Sequence, residues 1–390
     1  MNCSDSLICH RCFKDKVIID LIRREGRAGL CDWCGARSLY VIPLHELGDM
    51  FRDVVKIYQP GDINGDHISY LLQEDWNIFS DKIEQASDNL MHDLTVAILK
   101  AGLRPKEYLS GDYPDHGDFF YRKEDWLVEH WHEMAEAHVV SEKAPAKKIF
   151  HTAFNLSAIS IDELPNQLEV AFEDLATTYD VGRILHRARI HRDRFREECF
   201  NLAEMGAPPP DRATAGRANR KNEPVLYLAS NADTAIAEVR AWKGMAVAIG
   251  RFEMKKLLSV VSFLNYKVPE SPFNEENLEW KVQLAALFDR LAEELSRPAL
   301  REEDENVYFS TQYLCDWVKK AGHDGIEYPS AMGEGFNVVL FDPANAVQSD
   351  IRYLRIRKIS HKCETIDPDE QLYDEGPFDY LLQKQLEPKT

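Results

Sequence analysis

An arginine, a tyrosine and a glutamate lie within one stretch, Arg212 to Arg240, which reads RATAGRANRKNEPVLYLASNADTAIAEVR. Arg217 follows Gly216, Tyr227 sits on an apolar run that reads as a strand, and Glu238 falls on the helix that should follow. A strand followed by a helix can bring a cation, an aromatic hydroxyl and a carboxylate into one pocket. A pyrophosphate joined to a scissile glycosidic bond calls for all three. Arginine's planar fork grips phosphate oxygens in bidentate fashion, and a carboxylate stabilises the oxocarbenium-like state of glycosidic cleavage.

The neighbouring sequence supplies partners. Arg183, Arg187, Arg189, Arg192, Arg194 and Arg196 crowd a segment whose one acid is Asp193, in a chain of net charge −19. On an alternating strand Arg187 and Arg189 share a face. Further on, HDGIEYPSAMGEGFNVVLF places Ser330 at a strand end, a Gly333-Glu334-Gly335 loop after it, and Asn337 on the next strand. In VLYLA, Tyr227 points with Val225 and Ala229, away from Leu226 and Leu228. On the next helix Ala235, Ile236, Val239 and Trp242 form the buried stripe, and Glu238 falls at its edge. Each residue also has a plain reading: core for Tyr227, surface for Glu238, solvated charge for several arginines.

The elements that position these residues form a mixed α+β pattern. A helix near 166–178 leads into the strand GRILHRARIHR, a proline-rich loop from Gly206 to Arg220, and the PVLYLA strand. A helix, strands around AVAIGRF and LLSVVSFL, helices near 277–296 and 308–321, and strands at GIEY and NVVLF follow. Upstream, residues 51–150 read as mostly helical, with patches at SDKIEQASDNLMHDLTVAILKAG and from Arg122 to His138. His130, His132 and His138 lack the spacing of a zinc-protease helix and read as solvated. Residues 141–148 resemble a linker, and 359–390 a partly ordered tail.

Residues 1–50 carry a separate signal. Cys9, Cys12, Cys31 and Cys34 form two C-x2-C pairs at the spacing of a four-thiolate zinc site. His10 is superfluous to that shell, and Val17, Ile18, Leu21 and Ile22 form a short amphipathic helix between the pairs. This segment contains seven Lys+Arg and seven Asp+Glu. It therefore lacks the electrostatic footprint of a nucleic-acid binder and reads as a zinc-stapled scaffold or protein contact. The whole-chain charge likewise argues against a nucleic-acid partner. No apolar run is long enough for a membrane span, and the N-terminus lacks a signal peptide's apolar core. The expected address is cytoplasmic.

Three ordered motifs, RILHRARI, AGRANRKNEPVLYLASNADTAIAEVR and TQYLCDWVKKAGHDGIEYPSAMGEGFNVVLF, make residues 180–358 resemble the RES domain. The resemblance implies an ADP-ribosyltransferase-like fold and, in many members, a toxin that consumes NAD by hydrolysis or phosphorolysis. It puts Arg217, Tyr227 and Glu238 at the central catalytic positions and Arg187 and Ser330 at the outer ones. Arg187 is then the pyrophosphate ligand, and Asn337 joins the ligand-binding set. One departure is His186, where an aromatic usually precedes that arginine. The N-terminal half resembles the zinc-ribbon and HEPN-type helical segment found ahead of some RES domains. Its nuclease pattern, Arg-x4–6-His, fails: Arg122 and His130 have seven residues between them, Arg187 and His191 three.

The expected organisation is a zinc ribbon over 1–50, a helical regulatory or oligomerising unit over 51–150, a RES catalytic domain over 151–358, and a tail over 359–390. The leading functional expectation is an NAD-degrading effector of a toxin–antitoxin or antiphage system, held by an antitoxin or regulatory protein and assembled as a homo-oligomer. Two rivals stay open: an ADP-ribosyltransferase acting on a protein or nucleic acid, and a non-enzymatic zinc-ribbon interaction protein.

Overall fold

The computed structural model describes residues 6–60, 65–86, 89–101, 119–122, 127–128, 131, 135, 164–191, 200–264, 266, 269–297 and 308–359. His130, His132, His138, the 141–148 linker, Arg192, Arg194, Arg196 and nearly all of the tail lie outside these residues. The fold is α+β and divides into two units. One comprises Met1–Trp126, Lys267–Leu284 and Glu375–Thr390; the other comprises Leu127–Tyr266 and Ala285–Asp374.

The first unit opens with β1 (Leu7–Cys9), α1 (Lys16–Glu25), β2 (Arg27–Leu30) and β3 (Arg37–Pro43), the strands forming an antiparallel sheet in the order β1-β3-β2. Helix α1 starts where the Asp15 carboxylate accepts the Ile18 amide at 2.9 Å, a side-chain cap that satisfies one orphan donor. Ile18 and Ile22, one turn apart, are fully buried. Helices α2 (His45–Val55), α3 (Ile68–Trp76), α4 (Asp81–Glu84) and α5 (Leu90–Lys100) follow, with a second small sheet of β4 (Tyr58–Pro60), β5 (Asp66–His67) and β6 (Phe119–Arg122) in the order β4-β6-β5. Phe13, Phe51 and Phe79 pack as a trio with ring centroids 5.8–6.4 Å apart.

That second sheet departs from the helical pattern expected there. Arg122 ends a strand paired with Tyr58 rather than starting a helix. A buried polar network explains its place. Arg122 donates from Nε and Nη2 to Asp75 Oδ1 at 2.9 and 2.7 Å, and from Nη2 to Glu74 at 2.6 Å. Tyr58 donates to the other Asp75 oxygen at 2.8 Å and accepts from the Trp76 indole at 3.0 Å. Such long-range pairing has no periodic trace in sequence.

The second unit contains α6 (Leu164–Leu175), β7 (Ala176–Tyr179), β8 (Ile184–Ile190), β9 (Leu226–Ala229), α7 (Ala232–Glu238), β10 (Ala246–Met254) and β11 (Leu258–Ser262). After α8 (Leu278–Ser296), whose residues from Ala285 onward belong to this unit, come α9 (Phe309–Lys320), β12 (Gly325–Pro329), β13 (Phe336–Leu340) and β14 (Ala346–Arg355). The eight strands form one mixed sheet, β14-β10-β8-β9-β13-β12-β11-β7, in which β11 and β12 are parallel and the other neighbours antiparallel. One sheet face buries Leu185, Leu226, Leu228, Phe252, Val338 and Leu340. The other carries Ala188, Ala229, Val247 and Ile249, and Ala235 of α7 packs into that cluster of small side chains.

Helix α7 is shorter than its apolar stripe suggested. It stops at Glu238, and Arg240 takes a left-handed φ of 51°. Ile236 and Val239 still pack on the core, but Trp242 is 59% exposed. The run near 166–178 likewise ends as a helix at Leu175 and continues as β7. No helix among the described residues is long and apolar enough to cross a membrane.

Removing Arg122 while leaving Asp75 strands a buried carboxylate. Arg122→Met is expected to destabilise the first unit by about 3 kcal/mol, read as a lower urea midpoint. The Arg122→Met/Asp75→Asn pair is expected to cost less than the two single changes summed.

Candidate functional site

Strand register assembles the floor of the site. His186 on β8 stands opposite Ala229 on β9, Ala229 opposite Asn337 on β13, and Asn337 opposite Tyr328 on β12. These four residues form one row across four strands, and all line a cavity of about 200 Å³. Helix α7 adds Ala235, Glu238 and Val239 to its lining, and Arg187, Ala188, Tyr227 and Leu228 also line it.

The cavity lies where the sheet parts. Strand β8 pairs with β10 along its whole length, Ile184 to Ile190, and β9 pairs with β13 throughout. Between them β8 and β9 meet only at His186 and Ala229. Beyond that pair the strands separate, and Arg187 and Tyr227 border the gap.

Glu238 is the most tightly held acid of the site. Its Oε1 accepts from Ser330 Oγ at 2.6 Å and from Asn337 Nδ2 at 2.7 Å. Neither donor bonds to Oε2. Ser330 is itself fixed: its Oγ accepts the amides of Met332 and Gly333 at 3.2 Å, and its amide donates to the Gly335 carbonyl. The loop lies close against α7, since a Cβ on Gly333 would come within 3.1 Å of the Thr234 Cα. This close approach is the physical need for glycine in the Gly-Glu-Gly loop.

Arg217 occupies the tip of a tight turn. The Gly216 amide donates to the Asn219 carbonyl at 2.9 Å and the Asn219 amide returns a bond at 3.3 Å. Tyr227 clamps this turn from the strand: its hydroxyl donates to Asn219 Oδ1 at 2.9 Å and accepts the Ala218 amide at 3.0 Å. A Cβ on Gly216 would lie 2.9 Å from that hydroxyl, so the position admits only glycine without movement. From α9, buried Gln312 donates to the carbonyls of Gly216 and Asn219 at 2.8 and 3.0 Å. Arg217 is not a lining residue. Its Nη1 donates to the Leu295 carbonyl in the last turn of α8 at 2.8 Å, satisfying an orphan helix-end acceptor. The same helix end holds the Ser330 segment, where Ser296 Oγ donates to the Pro329 carbonyl at 2.6 Å.

Arg187 is half-buried, and its Nη1 is enclosed with no hydrogen-bond partner among the described residues. Burial, and secondarily Arg189, push its pKa down to about 10, so it remains a cation at neutral pH. Arg189 donates to the Gly206 carbonyl at 3.0 Å and is not a lining residue. Burial also lowers the pKa of His186, with Arg251 contributing, which favours the neutral imidazole. The Tyr227 and Tyr328 hydroxyls are pushed up by burial and stay protonated; the Arg217 charge opposes the shift in both, which puts that guanidinium close to the cavity wall.

Among the expected residues, Arg187, Tyr227, Glu238 and Asn337 line one cavity, Ser330 adjoins it through Glu238, and Arg217 stands behind it. Tyr328 and Gln312 were not singled out in sequence. Alternation in GIEYP could have placed Tyr328 on one face with Ile326, but which face met the cavity depended on pairing with β13.

In the first unit the four cysteine sulfurs lie within 4.8 Å of one another, with Cys9–Cys12, Cys9–Cys34 and Cys12–Cys31 at 3.9, 3.6 and 3.6 Å. None forms a disulfide. A tetrahedral ion with sulfurs at about 2.3 Å requires roughly 3.8 Å between them. The cluster therefore fits a structural metal.

Arg187, a half-buried cation, and Glu238, a carboxylate held on one oxygen, thus border one cavity where the mixed sheet parts. Residues 184–358 match the RES domain. No curated protein matches it. A chain of the crystal structure of the M. tuberculosis MbcT-MbcA toxin-antitoxin complex is similar at 15% identity, over 48% of this chain and 92% of that chain, with a TM-score of 0.27. That score adds no weight to the fold.

Gln312→Met keeps the bulk of the side chain and leaves two turn carbonyls without their donor. It is expected to destabilise the second unit by about 1–3 kcal/mol and to speed amide hydrogen exchange in the peptide spanning residues 213–220.

Proposed function

We propose that the RES domain cleaves the nicotinamide–ribose bond of NAD, with water or inorganic phosphate as acceptor. The observation that carries this reading is Glu238: one oxygen is fixed by Ser330 and Asn337, and the carboxylate borders a cavity that also holds Arg187. Preorganised charge aimed at a developing cation needs no rearrangement as the bond breaks. The RES match supports the substrate class.

In this mechanism the C–N glycosidic electrons leave with nicotinamide, which departs neutral because the pyridinium nitrogen carried the positive charge. The oxocarbenium-like ribose is stabilised by Glu238 and captured by water, giving ADP-ribose and a proton, or by phosphate, giving ADP-ribose 1″-phosphate. Arg187, which lines the cavity, pairs with the pyrophosphate. The Tyr227 ring packs against the ligand, while its hydroxyl stays engaged with the Arg217 turn. Arg217 contributes its charge from behind the wall, and Asn337 acts chiefly through Glu238. A cavity of about 200 Å³ is below the roughly 300–1,000 Å³ of sites that enclose whole ligands. It suits the nicotinamide–ribose end, with the adenylate outside.

The accompanying organisation is a zinc ribbon over 1–50, a helical regulatory unit over 51–150, a catalytic domain over 151–358 and a tail over 359–390. Zinc on Cys9, Cys12, Cys31 and Cys34 stabilises the ribbon and takes part in no chemical step. The setting we infer is cytoplasmic, with the enzyme acting as a toxin or defence effector restrained by an antitoxin-like partner and working as a homo-oligomer.

Purified protein is expected to release nicotinamide from NAD, and Glu238→Gln to lower kcat by about 100-fold or more, measured by chromatography with and without phosphate. Intact NAD at every oligomeric state tested, with no label transferred to a macromolecule, refutes the reading. Label on a protein or nucleic acid would instead favour transfer. The isolated protein is also expected to contain one zinc per chain by elemental analysis, and Cys12→Ser to lose the metal and unfold the ribbon.

A further inference from the structure

Tyr328 belongs to the same row of residues as Ala229 and Asn337, and its side chain is only 4% exposed. Buried tyrosine hydroxyls ordinarily find partners. In this protein Tyr58 bonds to Asp75, Tyr179 to Glu327 and Tyr227 to Asn219. The Tyr328 hydroxyl differs. Only burial and neighbouring charges act on it, and it has no hydrogen-bond partner among the described residues. It is not sealed in protein as the Arg187 Nη1 is, and its residue lines the cavity. Glu238 and Tyr227, which also line the cavity, are both near enough to influence it. A protonated hydroxyl held at the cavity floor, facing open volume and bonded to nothing, is a donor awaiting an acceptor.

We propose that Tyr328 is a ligand-binding residue whose hydroxyl hydrogen-bonds a polar group on the nicotinamide–ribose end of the dinucleotide. This rests on the reading of the cavity as the NAD site. The strand fixes the residue's direction, and both rotatable side-chain bonds are confined by burial, so the donor is presented with little remaining freedom. The ring is core and the hydroxyl is function, which separates the two roles experimentally.

Tyr328→Phe removes the oxygen alone. Because the oxygen has no protein partner, the variant is expected to melt at the wild-type temperature or above it. The KM for NAD is expected to rise about tenfold, as for one lost hydrogen bond, with kcat changed less than KM. A second readout uses no turnover: NAD and ADP-ribose, tested separately, raise the melting temperature of Glu238→Gln protein, and adding Tyr328→Phe weakens that stabilisation. Loss with both ligands places the contact on the ribose, and loss with NAD alone places it on the nicotinamide. An active wild type with an unchanged KM in Tyr328→Phe overturns this inference and leaves the proposed reaction standing. NAD-dependent stabilisation that requires Tyr328, without nicotinamide release by wild type, overturns the reaction and keeps the inference. Wild-type protein that neither binds nor cleaves NAD overturns both.

Discussion

The register of four neighbouring strands is the constraint on which the site depends. His186, Ala229, Asn337 and Tyr328 share one face only because β8, β9, β13 and β12 pair as they do. A slip of one residue in any strand would turn its contribution to the opposite face, where Leu185, Leu228 and Val338 form a packed core. Burial of those apolar residues therefore specifies the position of the polar ones. The small residues Ala188, Ala229 and Ala235 have a matching role, since they let α7 lie close to the sheet and bring Glu238 over the row.

Around this frame the polar groups immobilise one another. Ser330 joins the loop after β12 to Glu238, and Asn337 joins β13 to the same oxygen. Tyr227 and Gln312 clamp the Arg217 turn from two sides. The end of α8 accepts from Arg217 and donates to the strand end ahead of Ser330. A buried polar network is costly when half satisfied and rigid when complete. At the cavity, Arg187 Nη1 and the Tyr328 hydroxyl have no hydrogen-bond partner among the described residues. The first unit follows another logic. Four thiols gathered at tetrahedral spacing and an aromatic trio organise its N-terminal part, and the buried Arg122–Asp75 pair ties a short sheet to a helix.

Local chemistry made much of this legible in the sequence. The C-x2-C spacing specified the thiol cluster because two tight turns and one ion leave few alternatives. Alternation identified β8 through β13, and turn residues marked their ends. Where reading failed, a local backbone conformation or pairing between distant strands was responsible. Helix α7 ends four residues short of Trp242 because Arg240 takes a left-handed conformation. β6 exists because β4 and β5 pair with it. β14 went unread because a register shift near Arg251 breaks its alternation.

Residue types, their order and the resemblance they carry determined the candidate set: Arg187, Arg217, Tyr227, Glu238, Ser330, Asn337 and four cysteines, on an α+β chain. Tertiary structure alone decided how those residues divide the work. It set Arg187, Tyr227, Glu238 and Asn337 around one cavity, turned Arg217 toward a helix end, engaged the Tyr227 hydroxyl in a turn, and left that of Tyr328 open. Spacing along a strand fixes only which face a side chain takes relative to its neighbours. Which face becomes a cavity, and which hydroxyl lacks a partner there, depends on strands and helices that meet from distant parts of the chain.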